Sequence, residues 1–205
     1  MSPQSAGRPT RAQGGRPSRG SKAIVSQLKK EPNELKKKLL LVGYISSRLS
    51  RHGGSVFLVG GQAVETYTAG QYTTGDIDIT TTDREGTEEV LAQMGFVREG
   101  MVWLNERLAV AVHIVGSYPS RTEKARTIEV GPYAVRVVGV EDLIVDRLAA
   151  AKFWKSERDR EQASTLLHGF RDRLDIDYLW RRAKEEKVED LLPKEAGRGS
   201  EDAAR

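Results

Sequence analysis

Residues 76–79 read Asp-Ile-Asp-Ile, and no other four positions constrain the fold of this chain as tightly. Acid and apolar residues alternate with period two, so on a strand Ile77 and Ile79 share one face and point into the core. Asp76 and Asp78 then stand side by side on the other face. Two neighbouring carboxylates repel, and nothing basic lies between them in sequence. A pair of divalent cations would neutralise them, because Mg²⁺ favours carboxylates combined with phosphate oxygens. Upstream, Val56-Phe57-Leu58-Val59 has the length and composition of a buried strand. Gly60-Gly61 ends it, and a short helical pattern follows with Ala63, Val64 and Tyr67 on one face and Gly70 as its C-terminal cap. A strand that breaks at Gly-Gly into a helix N-terminus exposes backbone N–H groups with no Cβ to block a phosphate.

An apolar strand, Gly60-Gly61, a short helix and then Asp76-x-Asp78 on a strand resemble, in that order, the signature of the DNA polymerase beta-type nucleotidyltransferase superfamily. Gly61 and Asp76 are 15 positions apart, similar to the longer-spaced branches that include antibiotic nucleotidyltransferases and abortive-infection toxins. A dinucleotide-binding fold competes, but Gly60-Gly61-Gln62-Ala63 lacks its spaced third glycine. The resemblance spans roughly residues 56–163. It implies that Asp76 and Asp78 hold a two-ion Mg²⁺ site, with Mn²⁺ as the alternative metal. It further implies that Gly60, Gly61 and Thr74 hold phosphate oxygens of a nucleoside triphosphate.

The family's third carboxylate comes from a later strand. The matching run is residues 108–115, almost continuously apolar, and its polar member is His113. A neutral imidazole can ligate a metal or act as general base, but it removes one negative charge from the site. The alternative is a histidine packed at a strand end and hydrogen-bonded to backbone. Further on, residues 141–152 form an amphipathic helix with Glu141 and Asp142 in its first turn, as the helix dipole favours. The resemblance makes Arg147 and Lys152 candidates for the phosphates, with Arg158-Asp159 as the Arg-Asp pair that follows. A plain charged outer face is the competing account of those residues.

Composition narrows the classes. The chain has 205 residues and no cysteine, which excludes disulfides, iron–sulfur clusters and thiolate zinc sites. Its three histidines, His52, His113 and His168, are too scattered for a histidine zinc site. No apolar run reaches membrane-spanning length and no signal-peptide core is evident, so a cytoplasmic protein without a membrane partner is expected. Residues 1–22 carry five basic residues and no acid, which leaves a charge of −1 on the remainder of a chain whose formal charge is +4. That segment is expected to be a disordered basic tail, serving either as a solubilising extension or as a weak, salt-sensitive contact with nucleic acid.

The expected architecture is α/β (α+β): a small mixed sheet flanked by helices, with a C-terminal helical cluster. Residues 23–140 form the nucleotidyltransferase-like core, 141–192 the C-terminal helices and 193–205 a frayed tail. Within the core, a helix runs from residue 32 or 33 to 51. It carries Leu35, Leu39, Val42, Ile45 and Leu49 on its core face, and Lys36, Lys37 and Lys38 mostly on the solvated side, where they could meet nucleic acid. A helix over 85–94 closes at Gly95, hairpins turn at Glu99-Gly100 and Gly131-Pro132, and residues 121–126 form an exposed loop. Helices over 157–168 and 174–187 complete the chain.

Three functions fit these residues. The first is Mg²⁺-dependent transfer of a nucleoside monophosphate from a nucleoside triphosphate to a hydroxyl on RNA or protein, of toxin–antitoxin type. The second is a nucleotide-binding or regulatory protein of the same fold that has lost turnover. The third is a nucleic-acid-binding module using the tail and the lysine face.

Overall fold

The computed structural model describes residues 18–116 and 124–193. Among them are seven helices: α1 (Arg19–Lys30), α2 (Glu34–Leu49), α3 (Gly60–Tyr67), α4 (Arg84–Gln93), α5 (Val140–Phe153), α6 (Glu157–Phe170) and α7 (Ile176–Glu185). Seven strands accompany them: β1 (Val56–Leu58), β2 (Asp76–Thr81), β3 (Val97–Glu99), β4 (Val102–Asn105), β5 (Val110–Gly116), β6 (Arg126–Val130) and β7 (Tyr133–Val137). The strands build one mixed sheet in the order β3-β4-β5-β2-β1-β7-β6. β2 is its middle strand, antiparallel to β1 and parallel to β5.

The sheet has two unlike faces. Ile77 and Ile79 of β2, Leu58 of β1, Val112 and Ile114 of β5, and Val135 and Val137 of β7 are all buried at 3% exposure or less. α2 lies on this side, so close that a Cβ on Gly43 would stand 2.5 Å from the Cβ of Tyr133. That approach is open only to glycine, and it explains a glycine in the interior of a sixteen-residue helix, where it otherwise costs roughly 1 kcal/mol. The opposite face carries Phe57, Asp76, Asp78, Thr80 and His113, and α3, α5, α6 and α7 assemble beside it.

Three expectations change. α1 begins at Arg19, inside the segment expected to be disordered. Ser18 caps it by accepting from the Ser21 N–H at 3.1 Å, and Ile24 and Leu28 are buried against the core. Their i, i+4 spacing within the run Ile24-Val25-Ser26-Gln27-Leu28 was the available signal. The lysine face of α2 is also largely absent: Lys37 and Lys38 are buried and only Lys36 of the three is exposed. Finally, Arg126 opens β6 rather than closing a loop. Residues 121–123 of that loop lie outside the described residues, as do 1–17 of the tail and 194–205 of the C-terminal segment.

Candidate functional site

The site grows from the junction of β1, α3 and β2. Val59 follows the strand as the N-cap of α3, its N–H donating to the Asp78 carbonyl at 3.0 Å, and the helix starts at once with Gly60. Gly60 has φ +61, a left-handed conformation that suits glycine, and a Cβ there would meet Asp78 Oδ2 at 2.5 Å and Asp78 Cβ at 3.0 Å. The glycine therefore lets the start of the helix rest directly on the second carboxylate. No side chain caps α3. Burial pushes the Asp78 carboxylate's pKa above the usual aspartate range, against the opposing pull of His113 and of the Gly61 backbone N–H.

β5 supplies the neighbour. Its register pairs Asp78 with His113 and Asp76 with Ala111, so the imidazole stands beside the second carboxylate on the same face. His113 Nδ1 lies 3.5 Å from Asp78 Oδ1, and Nε2 is enclosed without a hydrogen-bond partner. His113 thus occupies the position next to the Asp pair that the sequence assigned to it. After Ile79 the register slips and Thr80 pairs with Gly116, leaving Val115 as the extra residue of a bulge. Val115 is 46% exposed and lines a cleft of about 440 Å³.

That cleft runs from Gly60 and Asp78 to α5 and α7. Its charged lining is Asp142, Asp146 and Arg147 of α5 and Arg182 of α7, and its apolar lining includes Val115, Val138 before α5 and Trp154 after it. Arg147 Nη1 donates to Asp159 Oδ1 at 2.8 Å, while its Nε is enclosed and unpartnered. Asp142 is fully engaged, accepting from Arg182 Nε and from the Tyr178 hydroxyl, each at 2.8 Å. Asp146 opens onto the cleft and keeps contact with solvent through its mouth. The surrounding protein nevertheless pushes its pKa up to about 6, against the opposing pull of Arg147.

The remaining candidates fall elsewhere. Thr74 ties the turn before β2 onto α3: its hydroxyl is 3.0 Å from both Gln62 Oε1 and Glu65 Oε2, and its N–H donates to Glu65 Oε2 at 3.1 Å. Lys152 is turned to the C-terminal segment, where Nζ donates to the Lys187 carbonyl at 2.6 Å and to Asp190 at 2.5 Å. It does not line the cleft. Arg158 donates to the Thr73 carbonyl at 3.2 Å, and Asp159 holds Arg147. Sequence reasoning missed Asp146, Arg182 and Trp154 as cleft residues. The one signal was spacing along α5, where Arg147 and Trp154 lie seven residues apart and so on one face.

As metal donors, Asp76 and Asp78 share a face two residues apart, with Asp76 exposed and Asp78 half-buried. No group of three histidine, cysteine or acidic residues among the described residues is arranged to hold a metal by itself. Two carboxylates without an all-protein cage match the habit of Mg²⁺, which takes one or two carboxylates and completes its shell with water and substrate phosphate.

No family model matches the chain, and no curated protein sequence does. Among solved structures it is similar to an antigenic nucleotidyltransferase-like protein from Paracoccidioides brasiliensis. The two share 14% identity over 74% of this chain and 94% of that chain, at a TM-score of 0.45.

Proposed function

We propose that this chain binds a nucleoside triphosphate with Mg²⁺ and transfers its nucleoside monophosphate to a hydroxyl. The observation that supports this best is the pressing of Gly60 onto Asp78, with His113 in register beside it and Arg147 on the wall of the same cleft. Asp76 and Asp78 would hold the Mg²⁺, or Mn²⁺ in its place, which draws charge from the triphosphate and from the departing pyrophosphate. The N–H groups that open α3 and the Arg147 guanidinium would bind phosphate oxygens. The acceptor oxygen bonds to the α-phosphorus as the bridging bond to the β-phosphate breaks, releasing pyrophosphate. His113 Nδ1, the ring nitrogen on the Asp78 side, takes up the hydroxyl proton, because Nε2 is enclosed. RNA and protein hydroxyls are the acceptor classes carried by the resemblance, and a toxin role would follow from either.

A second reading has its own observation. With His113 where a third acid would sit, the site has two carboxylates, and a protein that binds nucleotide without turnover fits that deficit. One experiment separates the two. Each labelled triphosphate is incubated with the protein, Mg²⁺ and a cell extract, and pyrophosphate release is followed alongside calorimetric binding. Under transfer, wild type releases pyrophosphate and Asp76→Asn or Asp78→Asn lowers the rate at least about 100-fold. Binding without release, with release appearing in His113→Asp, would move the protein to the second reading. Undiminished Mg²⁺–triphosphate affinity in the Asp76→Asn/Asp78→Asn double variant would sink both.

A further inference from the structure

Trp154 is 80% exposed, the largest exposure of any big apolar side chain in the described residues, and it borders the cleft. Val115, which the β5 bulge leaves exposed, is another apolar residue lining that cleft. Asp78 and Arg147 mark the charged part of the same cleft. One cavity therefore combines a flat apolar surface with a phosphate-compatible charged region. Resting on the reading of the site as a nucleotide site, we propose that Trp154 is the platform on which the nucleobase of the bound triphosphate stacks.

Three further observations carry this assignment. Arg147 and Trp154 are separated by seven residues of one helix, about 10 Å at 1.5 Å per residue, which is the span from a nucleobase to its phosphates. The indole is also held on rigid backbone. The Trp154 N–H closes α5 on the Ala150 carbonyl at 3.0 Å, and the chain then turns through Lys155 in a left-handed conformation, φ +58, that a residue with a Cβ adopts only when its surroundings impose it. Ser156 next caps α6 by accepting from the Asp159 N–H at 3.3 Å, and the Asp159 side chain grips Arg147. The α5–α6 corner thus fixes the aromatic platform and the cation together. Stacking on an aromatic face tolerates any base and favours the larger purines, so Trp154 would give affinity with modest base preference.

The test compares ligands with and without a base. The full chain is titrated by calorimetry with Mg·ATP, Mg·GTP, Mg·UTP and Mg·tripolyphosphate, in wild type, Trp154→Phe and Trp154→Ala. Trp154→Ala is expected to weaken ATP and GTP about ten-fold, UTP less, and tripolyphosphate not at all, while Trp154→Phe stays close to wild type. Because the side chain is exposed, melting curves of the three proteins should coincide. Unchanged ATP affinity in Trp154→Ala, or an equal loss for tripolyphosphate, overturns the platform and leaves the nucleotide site standing. Wild type that binds none of the four ligands overturns the nucleotide reading and the platform with it.

Discussion

Two charge pairs approach the α3–β2 junction from opposite sides, and they are built on opposite principles. Behind the site, Lys38 of α2 meets Glu65 of α3 at 2.9 Å, with side-chain exposures of 8% and 3%. Both charges there are bonded further: Lys38 Nζ also donates to the Thr74 carbonyl at 2.6 Å, and Glu65 Oε2 accepts from the Thr74 N–H. In the site, His113 and Asp78 face each other at 3.5 Å, with exposures of 27% and 30%. Here the distance is long for a hydrogen bond, His113 Nε2 has no partner, and burial holds the carboxylate's pKa up. A buried pair must be saturated with hydrogen bonds to persist. Under the proposed function, a bound nucleotide and its cation would supply the partners that the second pair lacks. The first pair positions the junction, and the second is the part that junction presents.

The contrast makes its largest prediction for stability. Lys38→Met leaves Glu65 charged, buried and without its cation, and should cost about 3–5 kcal/mol. His113→Ala removes a partly exposed group from a loose pair and should cost less than about 1 kcal/mol. The double variant Lys38→Met/Glu65→Gln keeps an oxygen for the Thr74 N–H and should recover part of the loss. Urea titrations of all three variants measure these differences. A Lys38→Met protein as stable as wild type would erase the distinction between the two pairs.

Gly60→Ala probes the joint between them and is expected to have a smaller effect. The added Cβ would collide with Asp78 and would have to sit at φ +61, with an expected cost of about 2–3 kcal/mol. Because Asp78 would have to move, Mg²⁺–triphosphate affinity should fall as well, whereas Lys38→Met should impair binding only as far as it unfolds the protein. Chemical denaturation and calorimetry on the folded fraction of each variant separate these outcomes. Intact binding in a destabilised Gly60→Ala protein would mean that Asp78 does not need its present position.

Much of this arrangement is legible in the sequence, for a reason particular to strands. Period-two alternation assigned Asp76 and Asp78 to one face and Ile77 and Ile79 to the other, and a continuous apolar run with one polar residue brought His113 forward. Gly-Gly, Gly95, Glu99-Gly100 and Gly131-Pro132 marked turns because few residues tolerate those backbones. What stayed hidden depended on tertiary pairing. Lys38 reads as a solvent lysine until Glu65 and the Thr74 carbonyl, 27 and 36 residues away, close around it. Thr74 reads as a phosphate ligand until the same cluster accounts for its hydroxyl. Lys152 in the last turn of α5 and Trp154 at its C-cap are two residues apart, and only the packing of the C-terminal segment sends the lysine away while the indole borders the cleft.

Asp146 offers the smallest and most specific test, because it is a cleft-lining carboxylate with a raised pKa. Although its side chain stays open to solvent at the cleft mouth, the protein packed around it disfavours its charge, Asp142 and Glu186 add repulsion, and Arg147 and Arg182 only partly offset them, so its pKa is pushed up from 3.8 to about 6. The sign of the stability effect follows from proton linkage. Between those two values the folded protein holds the proton more firmly than the unfolded chain, so this group's contribution to stability falls as pH rises from about 4 to about 6 and stays low above that. Asparagine cannot ionise and escapes the loss. Asp146→Asn should therefore melt at the same temperature as wild type near pH 4 and slightly higher at pH 7, by about a degree or two because solvent at the cleft mouth screens the charge, with the difference opening between those values. The comparison of the two pairs sharpens if that difference closes again when Mg²⁺ and a triphosphate are added to wild type, since a bound cation would offset the carboxylate's unfavourable charge. A melting difference that does not vary with pH would mean that Asp146 is ordinarily solvated and that the cleft is more open to water than its walls suggest.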